Sequence, residues 1–175
     1  IFSPNSGGTP KPGGTLTIET QGGDVRVKSG GDSQVRVVAI EKIRASSEAE
    51  ADELLQKLEL SMVQSGNDVT ATAKYAKRGG AFHFGSWPPV QVGFEVTVPA
   101  KFNAKLRTSG GDIVVGDLTG TLEAHTSGGD VSLGRIDGPV RVQTSGGDIH
   151  LAQASGASDL GTSGGDISVG RVLGP

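Results

Sequence analysis

The pentapeptide Thr-Ser-Gly-Gly-Asp occurs four times, with its serines at positions 109, 127, 145 and 163, a constant interval of eighteen residues. A fixed period of this length marks a supersecondary unit whose copies stack on one another. Aligned on the serines, the fifth position holds Ile113, Val131, Ile149 and Ile167. The seventh holds Val115, Leu133, Leu151 and Val169, and the position between varies freely: Val114, Ser132, His150, Ser168. Period-two alternation predicts a strand with one buried face. A second strand follows, with inward pairs Leu122 and Ala124, Val140 and Val142, Ser158 and Leu160. Between the two strands runs an apolar column, Leu118, Ile136, Ala154 and Val172, with glycines two residues later at 120, 138, 156 and 174. Each unit therefore reads as strand, glycine turn, strand, corner. The glycines of the corner are expected to supply positive φ for the reversal, and its aspartate to accept backbone N–H bonds.

The unit also occurs upstream. Ala104 to Thr108 matches a second strand, and Thr15 to Val27 matches a strand, a corner with Gln21 in place of serine, and a further strand. These copies bracket residues 34–98, which read as a strand-helix-strand insertion. "QVRVVAIEKI" is a strand. "SSEAEADELLQKLEL" is a helix with a Ser47–Glu50 capping box and an apolar stripe of Ala51, Leu54, Leu55 and Leu58. "DVTATAKY" and "VQVGFEVTV" are strands expected to pair antiparallel. One unit buries only about five aliphatic side chains, too few to offset the ordering of its backbone, so several must cooperate. The expectation is an all-β protein: a β-solenoid of 18-residue, two-strand repeats with an inserted α+β segment carrying one helix. Residues 1–14 read as a flexible linker, 15–175 as one β-solenoid domain and 104–175 as its regular repeats.

The "TSGGDI" corners, the repeats and the helix-bearing insertion resemble a bacterial family of β-strand-repeat domains of unknown function, known as "putative adhesins". The resemblance covers most of residues 15–175. It implies a β-solenoid or β-helix-like fold in an exported or envelope-associated protein, and it brings no catalytic residues.

Composition narrows the partners. Net charge is −3 with both signs interspersed, which argues against nucleic acid. Cysteine is absent, which excludes disulfides and thiolate metal sites. No apolar run approaches the roughly 20 residues of a membrane span. The chain opens "IFSPNSGGTPKPGG" without a methionine, so a trimmed leader and export are expected, the protein being periplasmic or on the cell surface.

Four features compete for a chemical role. Residues 161–165, "GTSGG", match the G-x-S-x-G pattern of serine hydrolases, but that motif needs a following helix, and drift at one repeat position explains the match. Stacked in register, Asp112, Asp130, Asp148 and Asp166 form a like-charge ladder costing about 0.8 kcal/mol per neighbouring pair at ~5 Å in water. Backbone hydrogen bonds are the expected offset and calcium the alternative. His125 and His150 fall on outward positions. The loop at 76–90 gathers Phe82, Phe84 and Trp87 with Arg78 and His83, a contact set for a protein or glycan or a lid over the coil. The reading is a non-enzymatic scaffold or adhesion module without cofactor. The alternatives are a polysaccharide-binding or -processing β-helix protein and a scaffold that self-assembles through a terminal strand edge.

Overall fold

Alternating apolar residues become strands at every repeat, and the strands sort into two sheets. The computed structural model describes residues 13–31, 34–75 and 90–174. In chain order the elements are β1 (Thr15–Thr20), β2 (Val25–Gly30), β3 (Arg36–Ile43), α1 (Glu48–Leu55), β4 (Leu58–Ser65), β5 (Asp68–Tyr75), β6 (Val90–Pro99), β7 (Asn103–Arg107) and β8 (Ile113–Val115). There follow β9 (Leu118–Thr119), β10 (Leu122–His125), β11 (Val131–Asp137), β12 (Val140–Gln143), β13 (Ile149–Ala154), β14 (Ser158–Gly161) and β15 (Ile167–Val172). One sheet runs β14–β12–β10–β7–β1–β5–β4, and the other β15–β13–β11–β8–β2–β6–β3, with β9 beside β11.

Each repeat places one strand in each sheet, and neighbouring repeats pair in parallel. Val131 lies opposite Ile113 on one side and Ile149 on the other, and Ile149 lies opposite Ile167. The buried face of both sheets forms one core, from Leu16, Ile18, Val25 and Val27 through Leu122, Val140, Leu151 and Ala154. The architecture is thus mostly β, two mixed sheets with a single helix among the described residues.

The N-terminal strand pair does not lie at an end of the sheets. β1 is parallel to β5 on one side and β7 on the other, and β2 lies likewise between β6 and β8. The segment between β2 and β7 therefore builds outward before the chain returns past β1–β2. The expected antiparallel pairing of "DVTATAKY" with "VQVGFEVTV" is not what forms. β5 and β6 occupy different sheets, and their antiparallel partners are β4 and β3. Both are buried on alternate residues, so each adds to the interior as a repeat strand does.

The helix is also shorter than its apolar stripe suggests. It stops at Leu55, and Leu58 instead opens β4, which pairs with β5 along its whole length. Eight ladder pairs with β5 outweigh one more helical turn on a helix with no buried residue. Ser47 caps it by accepting from the Glu50 N–H at 3.2 Å, while the Glu50 carboxylate reaches back to the Ser46 N–H at 2.8 Å and to the Ser46 hydroxyl. Those bonds hold the exposed Glu50 carboxyl below its ordinary value, the Ser46 hydroxyl contributing most.

Candidate interaction site

The repeated corner is where the motif's polar groups converge, and its bonds run from one repeat to the next. Thr126 is fully buried. Its hydroxyl donates to the Gly111 carbonyl of the preceding repeat at 3.0 Å and accepts from the Gly129 N–H of its own at 3.2 Å. Thr108, Thr144 and Thr162 repeat the arrangement. The second glycine of each corner is required by this approach and not by its dihedrals. Positive φ among the described glycines occurs at Gly13, Gly66, Gly120 and Gly138, not in the corners. A Cβ on Gly129 would instead stand 2.0 Å from the Gly111 carbonyl oxygen, and one on Gly147 would stand 2.0 Å from that of Gly129. The first glycine is looser: a Cβ on Gly128 would meet nothing closer than 4.0 Å.

The aspartates line up, and the carboxylate of each but the last, Asp166, accepts a backbone N–H. The Asp130 N–H donates to the Asp112 carboxylate at 3.0 Å, the Asp148 N–H to Asp130 at 2.8 Å and the Asp166 N–H to Asp148 at 2.8 Å. Asp24 heads the row, accepting from the Asp112 N–H at 3.2 Å. Like charges one strand apart are thus offset by a donor from the next repeat. Among the described residues no group of three or more His, Asp or Glu converges as a metal site. Ser163 of the "GTSGG" match sits between β14 and β15, where a strand follows and not a helix. His125 and His150 lie on outward positions of different sheets. Arg78, Phe82, His83, Phe84 and Trp87 lie outside the described residues.

With the corner committed to structure, the two outer faces carry the variable side chains. On the seven-stranded sheet, charges pair between neighbouring strands: Lys74–Glu19 at 3.6 Å, Lys105–Glu123 at 3.7 Å and Arg141–Asp159 at 3.4 Å. A shallow groove of about 260 Å³ runs there past Arg107, His125 and Gln143.

The eight-stranded sheet differs where β3, β6, β2 and β8 adjoin. Arg36 and Lys28 both lie opposite Thr97, one from each side. In the next row Val38 and Arg26 flank Glu95, and Val114 follows beside Arg26. Together with Gly116 these residues line a trough of about 500 Å³. Arg26 pairs with Asp24 at 3.3 Å, whereas Lys28 and Arg36 have no carboxylate partner among the described residues. Val114 is exposed at 39%. The alternation of Arg26 and Lys28 is visible in "VRVK". Their meeting with Arg36 is not, because it depends on β6, more than fifty residues away, lying between β2 and β3.

No family model matches the chain, and no curated protein does. Among solved structures it is similar to a "putative cell adhesion protein" from Clostridium sporogenes, with a TM-score of 0.51 at 9% identity, covering 93% of this chain and 94% of that one. A "putative adhesin" from Bacteroides fragilis aligns over 95% of this chain and 91% of its own at 12% identity, with a TM-score of 0.25. The first likeness shows a shared fold. Among the described residues no helix is long and apolar enough to cross a membrane.

Proposed function

We propose that the chain is a β-solenoid domain of an exported protein, acting as a non-enzymatic scaffold or adhesion module at the bacterial envelope. The carrying observation is the use made of the repeated motif. The Thr hydroxyl, the second-glycine carbonyl and the Asp carboxylate of the inner corners all bond to an adjoining repeat. What the sequence repeats is consumed in holding turns together, and what it varies faces outward on two broad sheets. Such a surface suits contact with a macromolecule. The resemblance to adhesin repeats and the fold shared with a cell adhesion protein point the same way.

Two measurements test the reading. Removing residues 127–144 joins Thr126 to Ser145 and deletes one turn while keeping every column in register. A cooperative, β-rich, less stable protein is expected, whereas deleting only 127–135 should abolish folding. Equal behaviour of the two deletions would remove the solenoid. For the role, the chain is offered a panel of protein- and polysaccharide-coated surfaces together with soluble acidic and neutral polysaccharides. Saturable binding without release of shortened products is expected, and turnover of any polysaccharide would make the domain an enzyme.

A further inference from the structure

Resting on the adhesion reading, we infer that the trough across β3, β6, β2 and β8 is a binding site for an acidic glycan, a polysaccharide carrying carboxylates along its chain. Among the described residues its lining brings Arg26, Lys28 and Arg36 together with one carboxylate, that of Glu95, on a chain whose net charge is −3. Elsewhere on the outer faces several cations are matched, Arg135 with Asp117 at 2.8 Å and Arg141 with Asp159 at 3.4 Å, and Arg107 stands in the groove of the other sheet without a second unmatched cation beside it among the described residues. A local excess of unmatched cations in a concave surface raises the concentration of anions there. Arg36 and Lys28 stand two strand spacings apart, about 10 Å, so they can hold two carboxylates of one extended chain.

The rest of the lining selects among anions. Val38 and Val114 offer apolar surface beside the cations, which suits the C–H face of a sugar ring, while Thr97 and Glu95 can bond its hydroxyls. Among the described residues no aromatic side chain lines the trough, so they offer no stacking platform of the kind that single-stranded nucleic acid uses. The trough lies on the face of the sheet, and of its four strands only β3 stands at an edge. Backbone pairing, the usual means of gripping an extended acidic peptide, has no free partner on that face.

Polygalacturonate is the probe, with dextran as its neutral counterpart and polyglutamate as an acidic polypeptide. The wild-type chain is expected to bind polygalacturonate more tightly than either comparator, with affinity falling as salt rises from about 50 to about 300 mM. Lys28→Glu with Arg36→Glu should weaken binding at least about tenfold, and Lys28→Gln with Arg36→Gln should weaken it less. Arg141→Glu, on the opposite sheet, should leave it unchanged. Matching melting curves for all variants keep the comparison on binding. The inference is overturned if polygalacturonate does not bind, if polyglutamate binds as well, or if Arg141→Glu weakens binding as much as the trough variants. Should the chain still bind other surfaces of the panel, the adhesion reading survives while the trough is discarded.

Discussion

The two ends of the stacked sheets are finished differently. At one, β3 and β4 run antiparallel to their neighbours, and Ile43, Leu54, Leu58 and Met62 pack partly buried against the core. At the other, β14 and β15 repeat the motif in full register, yet Ile167 is 45% exposed, Val169 42% and Val172 46%. Their counterparts one repeat earlier, Ile149, Leu151 and Ala154, are at most 1% exposed. The same motif thus gives the same strand geometry in both places and a buried core in only one. Local sequence sets the shape of a turn, and only the neighbour on its open side supplies the burial. Substitutions made at matched positions of inner and outer repeats separate the two contributions.

The largest difference is expected at the corner. Gly129→Ala drives a methyl group into the Gly111 carbonyl with repeats packed on both sides. It should cost at least about 3 kcal/mol or prevent folding, since overpacking against backbone has no flexible side chain to yield. Gly165→Ala meets the Gly147 carbonyl oxygen at 2.2 Å, but its repeat can tilt away, so its cost should be clearly smaller. Gly128→Ala, with open space around its Cβ, should change stability by less than about 1 kcal/mol. Urea unfolding of the three variants orders them, and equal costs for Gly128 and Gly129 would refute the close-approach account.

Burial comes next. Ile149→Ala should cost about 2–5 kcal/mol and Ile167→Ala less than about 1 kcal/mol, although both sit in one column. Equal losses would mean that the outer repeat is as well covered as the inner ones. Thr126→Val then isolates the buried hydroxyl: it keeps the shape, leaves the Gly111 carbonyl and Gly129 N–H without their partner, and should cost about 1–3 kcal/mol. Thr162→Val, on the outer repeat, should cost less. Thermal melts read both.

How far the sequence reveals this architecture depends on the distance over which the deciding contact acts. The alternating columns follow from period two and lie where alternation puts them, Leu16 and Ile18 as much as Ile113 and Val115. The eighteen-residue register follows from the spacing of the serines. The corner threonine is visible as part of the repeat, but its role is not, because a buried hydroxyl bridging two repeats carries no local signal. From sequence alone the corner glycines read as positive-φ residues, since the approach of Gly111 to Gly129 exists only once repeats stack. Leu58 fits a helical stripe and an alternating strand equally well, and β5, a tertiary partner, decides between them. Of the candidate site, the separate cations can be read in "VRVK" and "QVRVV". The trough they make needs the return of β6 between their strands.

The smallest effect sharpens the comparison from the solvent side. Asp117 accepts the Arg135 N–H at 2.9 Å and two guanidinium contacts, at 3.0 and 2.8 Å, so one carboxylate joins neighbouring repeats on the surface. The backbone bond contributes most, followed by the side-chain bonds, to holding the Asp117 carboxyl below its ordinary value of 3.8. A carboxyl lowered in the folded state stabilises above its unfolded pKa, and that contribution fades as pH falls through the folded one. Asp117→Asn keeps an oxygen for the Arg135 N–H and removes only the charge. In so exposed a pair the loss should be no more than about 2 °C in Tm at pH 7, and it should shrink as pH falls below the ordinary value of 3.8 and in high salt. Asp117→Ala removes the backbone bond as well and should lose more. If the two variants melt together, the surface bridge between repeats is electrostatic alone; if Asn matches wild type at every pH, the carboxylate acts only as a backbone acceptor, as Asp112 and Asp130 do in the corner.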